Sequence, residues 1–211
     1  MSGAATWILL VVASYLLGAI PFGFLIARAK GVDIRKVGSG NIGATNVLRS
    51  VGKPWGILTF VLDALKGFIP AMVFPYLGSR WGADFHSMEI ARLAGGVAAV
   101  VGHSFPVYLR FRGGKGVATS AGALLGIAPL AGLAGLCVWG LLFFAFKYVS
   151  LASIGAAVAV PVAAWLLYRS ESAVVPAALT MLAILVVYRH RDNIRRLASG
   201  TEHRFGQKRE V

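Results

Sequence analysis

Acidic side chains are scarce in this sequence: eight Asp and Glu stand against 21 Lys and Arg in 211 residues, for a formal net charge of +13. Carboxylates so few and so spread form no cluster able to supply the several oxygen ligands that one or two divalent cations require. Cysteine occurs once, as Cys137 inside an apolar run. That excludes an internal disulfide and a thiolate metal site, and leaves core packing as its expected role. Charge of either sign is also low, at 14% of residues, where a soluble domain carries about 25%.

What fills the chain instead is apolar. Hydrophobic residues make up 57% of it, in runs of the length needed to cross a hydrocarbon core of ~30 Å. The runs cover residues 5–27, 55–77, 90–109, 118–146, 149–168 and 174–189. The expected fold class is therefore all-α, a polytopic integral membrane bundle forming one domain over 1–211. The first run is followed, not preceded, by positive charge (Arg28, Lys30, Arg35, Lys36) and is too long for a signal-peptide core. It reads as a retained first span. Nucleic acid is not the expected partner of so much positive charge, because the basic residues sit in short connections between apolar runs.

Residues 28–53 hold six Lys and Arg, 110–115 hold three, and the tail from 189 holds seven, whereas 78–89 set Arg80 against Asp84 and Glu89. Basic loops prefer the cytoplasm. For all three basic regions to share that side, an even number of crossings must separate residues 115 and 189. The run 118–146 supplies the extra one. As a single helix it would be about 43 Å long, and Pro129 interrupts it, removing a ladder hydrogen bond. Split in two, it gives seven spans, with the N-terminus outside and the C-terminus cytoplasmic. Five full spans plus re-entrant segments satisfy the same parity. The turn holding Lys147, Ser150 and Ser153 then joins the basic loops on one face.

Three polar stretches lie on that face. GSGNIGATNVLR, residues 38–49, begins with G-x-G-x-x-G, and Asp63 stands twenty residues after Gly43, as in a dinucleotide fold. Such a site needs a strand before the glycines and a βαβ unit around them, and here Asp63 lies inside an apolar run. The nucleotide reading fails, but glycines still let successive N–H groups close around an anion. Gly40 and Gly43 supply that backbone, Ser39, Asn41, Thr45 and Asn46 add hydrogen-bonding groups, and Arg49 adds a forked cation suited to phosphate.

GHSFPVYLRFRGGKGVATS, residues 102–120, sets Lys115 among Gly113, Gly114 and Gly116, with His103 at the end of the preceding span. It lacks the spacing of a Walker A motif and the second glycine of a nucleophile elbow. A cationic, donor-rich turn entering a helix remains, again suited to an anion. In YRHRDNIRRLASGTEHRFG, residues 188–206, His190 and Asn193 share a helix face, and Arg191, Arg195 and Arg196 can meet anionic head groups. Asp63 and Lys66, also three apart and within an apolar run, are expected to form a structural ion pair facing the protein interior.

Together these stretches resemble the three cytoplasmic motifs of the bacterial membrane acyl-phosphate:glycerol-3-phosphate acyltransferases. The resemblance runs from the first span to the tail. It implies transfer of a fatty acyl group from acyl phosphate to the 1-hydroxyl of sn-glycerol 3-phosphate, giving lysophosphatidic acid and phosphate. It implies the bacterial cytoplasmic membrane, an active site on the cytoplasmic face, no cofactor or metal, and membrane lipids but no obligate protein partner. Acyl phosphate is a mixed anhydride, already activated, so direct attack needs no acyl-enzyme. Consistently, no histidine has an aspartate five positions on, the dyad of other glycerolipid acyltransferases. Ser39, Arg49, Lys115, His190 and Asn193 are the expected catalytic residues. Gly40, Asn41, Gly43, Thr45, Asn46, His103, Gly113, Gly114, Gly116 and Ser153 are the expected substrate-binding ones. The base is either His190 or a substrate phosphate oxygen, and the lack of a carboxylate in the motif to orient His190 favours phosphate. A transporter for a phosphorylated solute would show internal repeats and midplane polar groups, which are not evident. A lipid-binding scaffold would not need glycine turns with matched hydroxyls.

Overall fold

A computed structural model describes residues 3–80, 82, 85, 87–171 and 173–206. Asp84 and the basic residues Lys208 and Arg209 lie outside the described residues. Those described form helices and connecting turns, with no strand among them. The chain divides into two compact units, Met1–Ile127 and Ala128–Val211.

The first unit holds α1 (Gly3–Ala19), α2 (Phe22–Ala29), α3 (Ala44–Ser50), α4 (Lys53–Phe68), α5 (Phe74–Arg80), α6 (Met88–Ser104) and α7 (Val117–Ile127). Helix α1 runs into α2 across a break at Ile20 and Pro21, where proline removes a backbone donor. Helix α4 passes into α5 through a wider π turn, Ile69–Val73, which contains Pro70. Ser87 starts α6: its Oγ accepts the Ile90 N–H at 3.3 Å, and Glu89 adds a negative charge to the first turn. Small residues let these helices touch backbone to backbone. A Cβ on Gly18 would overlap Ala99 across the α1–α6 crossing, and one on Gly122 would overlap the Ala64 carbonyl across α4–α7. Lipid offers apolar helices no drive to associate, so such close approach carries much of the packing.

The second unit holds α8 (Pro129–Phe146), α9 (Val149–Leu167), α10 (Val174–Arg189) and α11 (Arg191–Ala198). Helices α8 and α9 form a hairpin closed by Lys147, in the left-handed conformation, and Tyr148. Helix α10 turns by 56° into α11 at His190.

Among the described residues, five segments are long and apolar enough to cross a membrane: Gly3–Ala29, Lys53–Arg80, Met88–Leu109, Pro129–Phe146 and Val149–Leu167. The bent pair α10–α11 makes a sixth candidate. The run 118–146 divides as its proline predicts, with Pro129 in the first turn of α8, where its missing donor costs nothing. Its first half, α7, has 11 residues, about half the ~20 of a perpendicular crossing. Cys137, expected in the core, is exposed on α8. That helix is apolar all round, with Ala131 and Gly135 as its buried residues, so its sequence carries no period to distinguish an inner face.

Candidate functional site

In the first unit, the loop between α2 and α3 is built around Asn46, which is 2% exposed. Its Nδ2 donates to the carbonyls of Ile34 (3.1 Å), Val37 (3.1 Å) and Asn41 (2.9 Å), and its Oδ1 accepts the Ser39 N–H at 3.0 Å. Asn41 Oδ1 accepts the Gly43 N–H at 2.8 Å, shaping the entry to α3. Gly38 and Gly40 take φ of +58° and +68°, a region that glycine enters without a Cβ penalty. Beneath the loop, Ala27, Ile34, Ile42 and Val47 form a small buried core edged by Phe24, Trp55 and Leu109. The result is a fixed loop that presents Ser39 at an exposed position, with Thr45 and Arg49 half-buried along α3. Asn46 stands apart from these: its amide is occupied by the loop backbone. Nearby, Arg35 hydrogen-bonds Asp33 through Nε at 2.9 Å and holds that carboxyl at about 2.

The turn Gly113–Gly116 leads into α7. The Gly114 N–H donates to the His103 carbonyl at 3.1 Å, and Gly116 takes a φ of +82°. Lys115, between them, is half-buried. A Cβ on Gly114 would overlap the His103 ring at Nε2, so glycine is required there by contact. His103 itself is 4% exposed at the end of α6. Its Nδ1 lies 3.7 Å from Asp63 Oδ1, within ion-pair reach. Asp63, in turn, sits 2.8 Å from Lys66 Nζ, and Lys66 donates to the Ile20 carbonyl at 2.7 Å.

In the second unit, His190 occupies the bend between α10 and α11 and is 2% exposed. Its Nδ1 lies 2.8 Å from the Val186 carbonyl. A carbonyl only accepts, so Nδ1 carries the hydrogen and Nε2 is the basic nitrogen of the neutral ring. A backbone carbonyl thus orients the ring.

Asn193 is held differently. Its Nδ2 donates to Glu202 Oε1 at 2.8 Å, Ser150 Oγ donates to the same oxygen at 2.8 Å, and Arg196 Nε donates to Oε2 at 2.8 Å. Burial alone would push the Glu202 carboxyl up, but hydrogen bonds from Asn193, Arg196 and Ser150, with the Arg196 charge, outweigh it and hold the group below its ordinary value. Ser153 Oγ donates to the Val149 carbonyl at 2.8 Å and accepts from Trp139 Nε1 at 3.2 Å, so its hydroxyl serves the α8–α9 hairpin. The segment after α11 is tied to that hairpin by the Phe205 N–H, which donates to the Lys147 carbonyl at 2.7 Å.

The structure therefore groups the sequence-selected residues into Ser39–Arg49 with Asn46 at its centre and His103 with Asp63, Lys66 and Gly113–Gly116, while His190 at the α10–α11 bend and Asn193 on α11 are held by separate partners. Glu202 was missed by sequence reasoning. Its one signal was its position as the acid closing the stretch YRHRDNIRRLASGTE. Among the described residues, no three His, Cys, Asp or Glu side chains are grouped as metal ligands.

A family model described as glycerol-3-phosphate acyltransferase matches residues 8–200. A glycerol-3-phosphate acyltransferase of Geotalea daltonii is 48% identical over 198 residues, covering 94% of this chain and 97% of that relative. One of Aquifex aeolicus is 45% identical over 196 residues, covering 93% and 97%. Among solved structures, the glycerol 3-phosphate form of PlsY (YgiH), an integral membrane glycerol 3-phosphate acyltransferase, matches with a TM-score of 0.84 at 44% identity over 95% of this chain and 96% of that one. The lysophosphatidic acid form of PlsY matches with a TM-score of 0.79 at 43% identity over 95% of each chain. With sequence, family model and helical fold in agreement over nearly the whole length, this integral membrane chain belongs to the glycerol-3-phosphate acyltransferase family.

Proposed function

We propose that the protein transfers a fatty acyl group from acyl phosphate to the 1-hydroxyl of glycerol 3-phosphate, at the cytoplasmic face of a bacterial inner membrane, with residues 1–211 as one functional domain. The observation that carries this reading is the 44% identity over 95% of the chain to a relative solved in its glycerol 3-phosphate form, alongside that relative's lysophosphatidic acid form. Acceptor and acylated acceptor are the two ends of such a transfer. The donor follows from the three motifs and from the chemistry they offer, which is phosphate recognition at two glycine turns.

The acceptor oxygen attacks the carbonyl carbon of the mixed anhydride, the bond from that carbon to the phosphate oxygen breaks, and phosphate leaves. Ser39, Arg49 and Lys115 hold phosphate oxygens, assisted by backbone N–H groups of 40–43 and 113–116 other than those of Gly40, Gly43 and Gly114, which donate to Val37, Asn41 and His103 within the turns. Asn41, Gly43 and Thr45 complete the first turn. His190, oriented by Val186, and Asn193, oriented by Glu202, align the acceptor. Asn46, His103 and Ser153 support the loops and helices that carry these groups. The hydroxyl proton passes to a phosphate oxygen of the substrate, so His190 orients rather than abstracts. Positioning two reactants in this way can remove roughly 7–11 kcal/mol of barrier.

The test is phosphate release by purified protein given palmitoyl phosphate and glycerol 3-phosphate, without metal or CoA, beside His190→Ala. Release that requires glycerol 3-phosphate, with lysophosphatidic acid formed, is the expected result. No release by folded wild-type protein overturns the reading. For the variant, turnover kept at saturating acceptor with a raised KM supports the orienting role. A collapsed maximal rate at unchanged KM makes the histidine the base instead.

A further inference from the structure

The buried groups of α4 and α6 are linked to the glycine turn through one imidazole. Lys66, 2% exposed, is fixed at one end by the Ile20 carbonyl at 2.7 Å and at the other by Asp63 Oδ1 at 2.8 Å. Asp63, also 2% exposed, faces His103 Nδ1 at 3.7 Å. On its opposite edge the same ring stands where a Cβ of Gly114 would be, and the His103 carbonyl accepts the Gly114 N–H at 3.1 Å. A Cβ on Gly113 would also overlap that carbonyl and Pro106. The backbone at 113 and 114 is therefore seated directly on His103, one residue before Lys115.

We infer that Asp63 and His103 are positioning residues for the acyl transfer: Asp63 sets the ring of His103, and the ring sets the height and angle of the Gly113–Gly116 turn that carries Lys115. Burying charge on α4 is a costly way to hold it to its neighbours in a membrane, where small residues already pack the helices. It is an effective way to fix the direction of a third polar group, because a carboxylate attracts the N–H edge of an imidazole and so defines the orientation of the ring. A glycine turn has little side-chain bulk of its own to hold it in place. Seating it on a rigid aromatic ring supplies the missing constraint, and a displacement of ~1 Å in such a support can cost about 100-fold in rate.

The inference rests on the proposal that this turn holds a substrate phosphate, and the experiment separates the two. It is a double-substitution cycle in the purified full-length protein. His103→Asn keeps a donor toward Asp63 while removing the ring from beneath Gly114. It is measured alone, with Lys115→Ala, and in combination, as kcat/KM for each substrate beside the melting temperature. His103→Asn is expected to lower kcat/KM for the substrate held by the turn about 100-fold, and less than about threefold when Lys115 is already alanine. Equal losses in the two backgrounds overturn the positioning role and leave the phosphate role of the turn standing. A Lys115→Ala protein with wild-type kinetics overturns both. If His103→Asn does not melt cooperatively, Gly114→Ala takes its place in the cycle under the same criterion, since it displaces the turn from the ring without touching Asp63.

Discussion

Glu202 accepts the Asn193 side-chain N–H at 2.8 Å while Arg196 Nε closes on its other oxygen at the same distance. Ser150, from α9, joins the first oxygen at 2.8 Å. One carboxylate thus ties the segment after α11 to α11 itself and to the α8–α9 hairpin. Glu202→Ala leaves three donors without their acceptor, one of them a guanidinium. Breaking a buried hydrogen-bonded charge in this way costs about 3–5 kcal/mol, an upper range here because Arg196 is 40% exposed. The expected outcome is a clear fall in melting temperature together with lost activity. Glu202→Gln, which keeps one acceptor oxygen, falls between the two.

The pH dependence of stability follows from the same carboxylate. Its folded value is depressed, so its contribution is complete above the ordinary glutamate range and is lost as pH falls through the lowered folded value. Melting temperature measured downward from neutral pH is expected to drop through the acid range in the wild type. The Glu202→Gln protein should lack that part of the drop. Parallel curves would mean the carboxylate does not support the fold.

Asn46 offers a sharper contrast between two isosteric side chains. Asn46→Ala removes the acceptor of the Ser39 N–H and the donor to three carbonyls, each an interaction whose loss from a buried site costs about 1–3 kcal/mol. Asn46→Asp preserves the shape and the acceptor but turns a negatively charged oxygen on the carbonyls of Ile34, Val37 and Asn41. Both are expected to lose at least ~100-fold in kcat/KM with helical content retained, and aspartate should be no better than alanine. Recovery of activity by aspartate would show that the Ser39 contact alone suffices.

How much of this was legible in the sequence depends on how far apart the partners lie. The apolar runs located the helices, and Pro129 marked the division between α7 and α8, because both signals are local. Asp63 and Lys66 are three residues apart on α4, so helix geometry alone brought them together. The break at Ile20 carries a local mark too, Pro21, but inside a run of the length of one span. Asn46 reads in the sequence as a contact to substrate, because its hydrogen bonds to Ile34 and Val37 depend on how the loop folds back, which no periodicity encodes. Ser150 and Glu202 are 52 residues apart, and only the hairpin and the returning segment place them side by side. Cys137 reads as a core residue in the sequence because α8 offers no polar face against which to orient it.

The buried pair on α4 allows stability and positioning to be measured apart. Lys66→Met leaves the Asp63 carboxylate beside the His103 ring without its lysine, and should cost about 3–5 kcal/mol. Replacing both residues, as Asp63→Leu with Lys66→Met, removes the two charges together and leaves apolar side chains of similar size, an exchange that is often close to neutral for folding. The double variant should therefore recover most of the melting temperature that Lys66→Met loses. It should not recover the activity, because His103 then has no carboxylate to set its ring and the turn before Lys115 loses its reference. The expected pattern is a folded protein with kcat/KM reduced by at least about tenfold. If activity returns in step with stability, the pair does no more than hold helices together, and the orientation of His103 is set by packing alone.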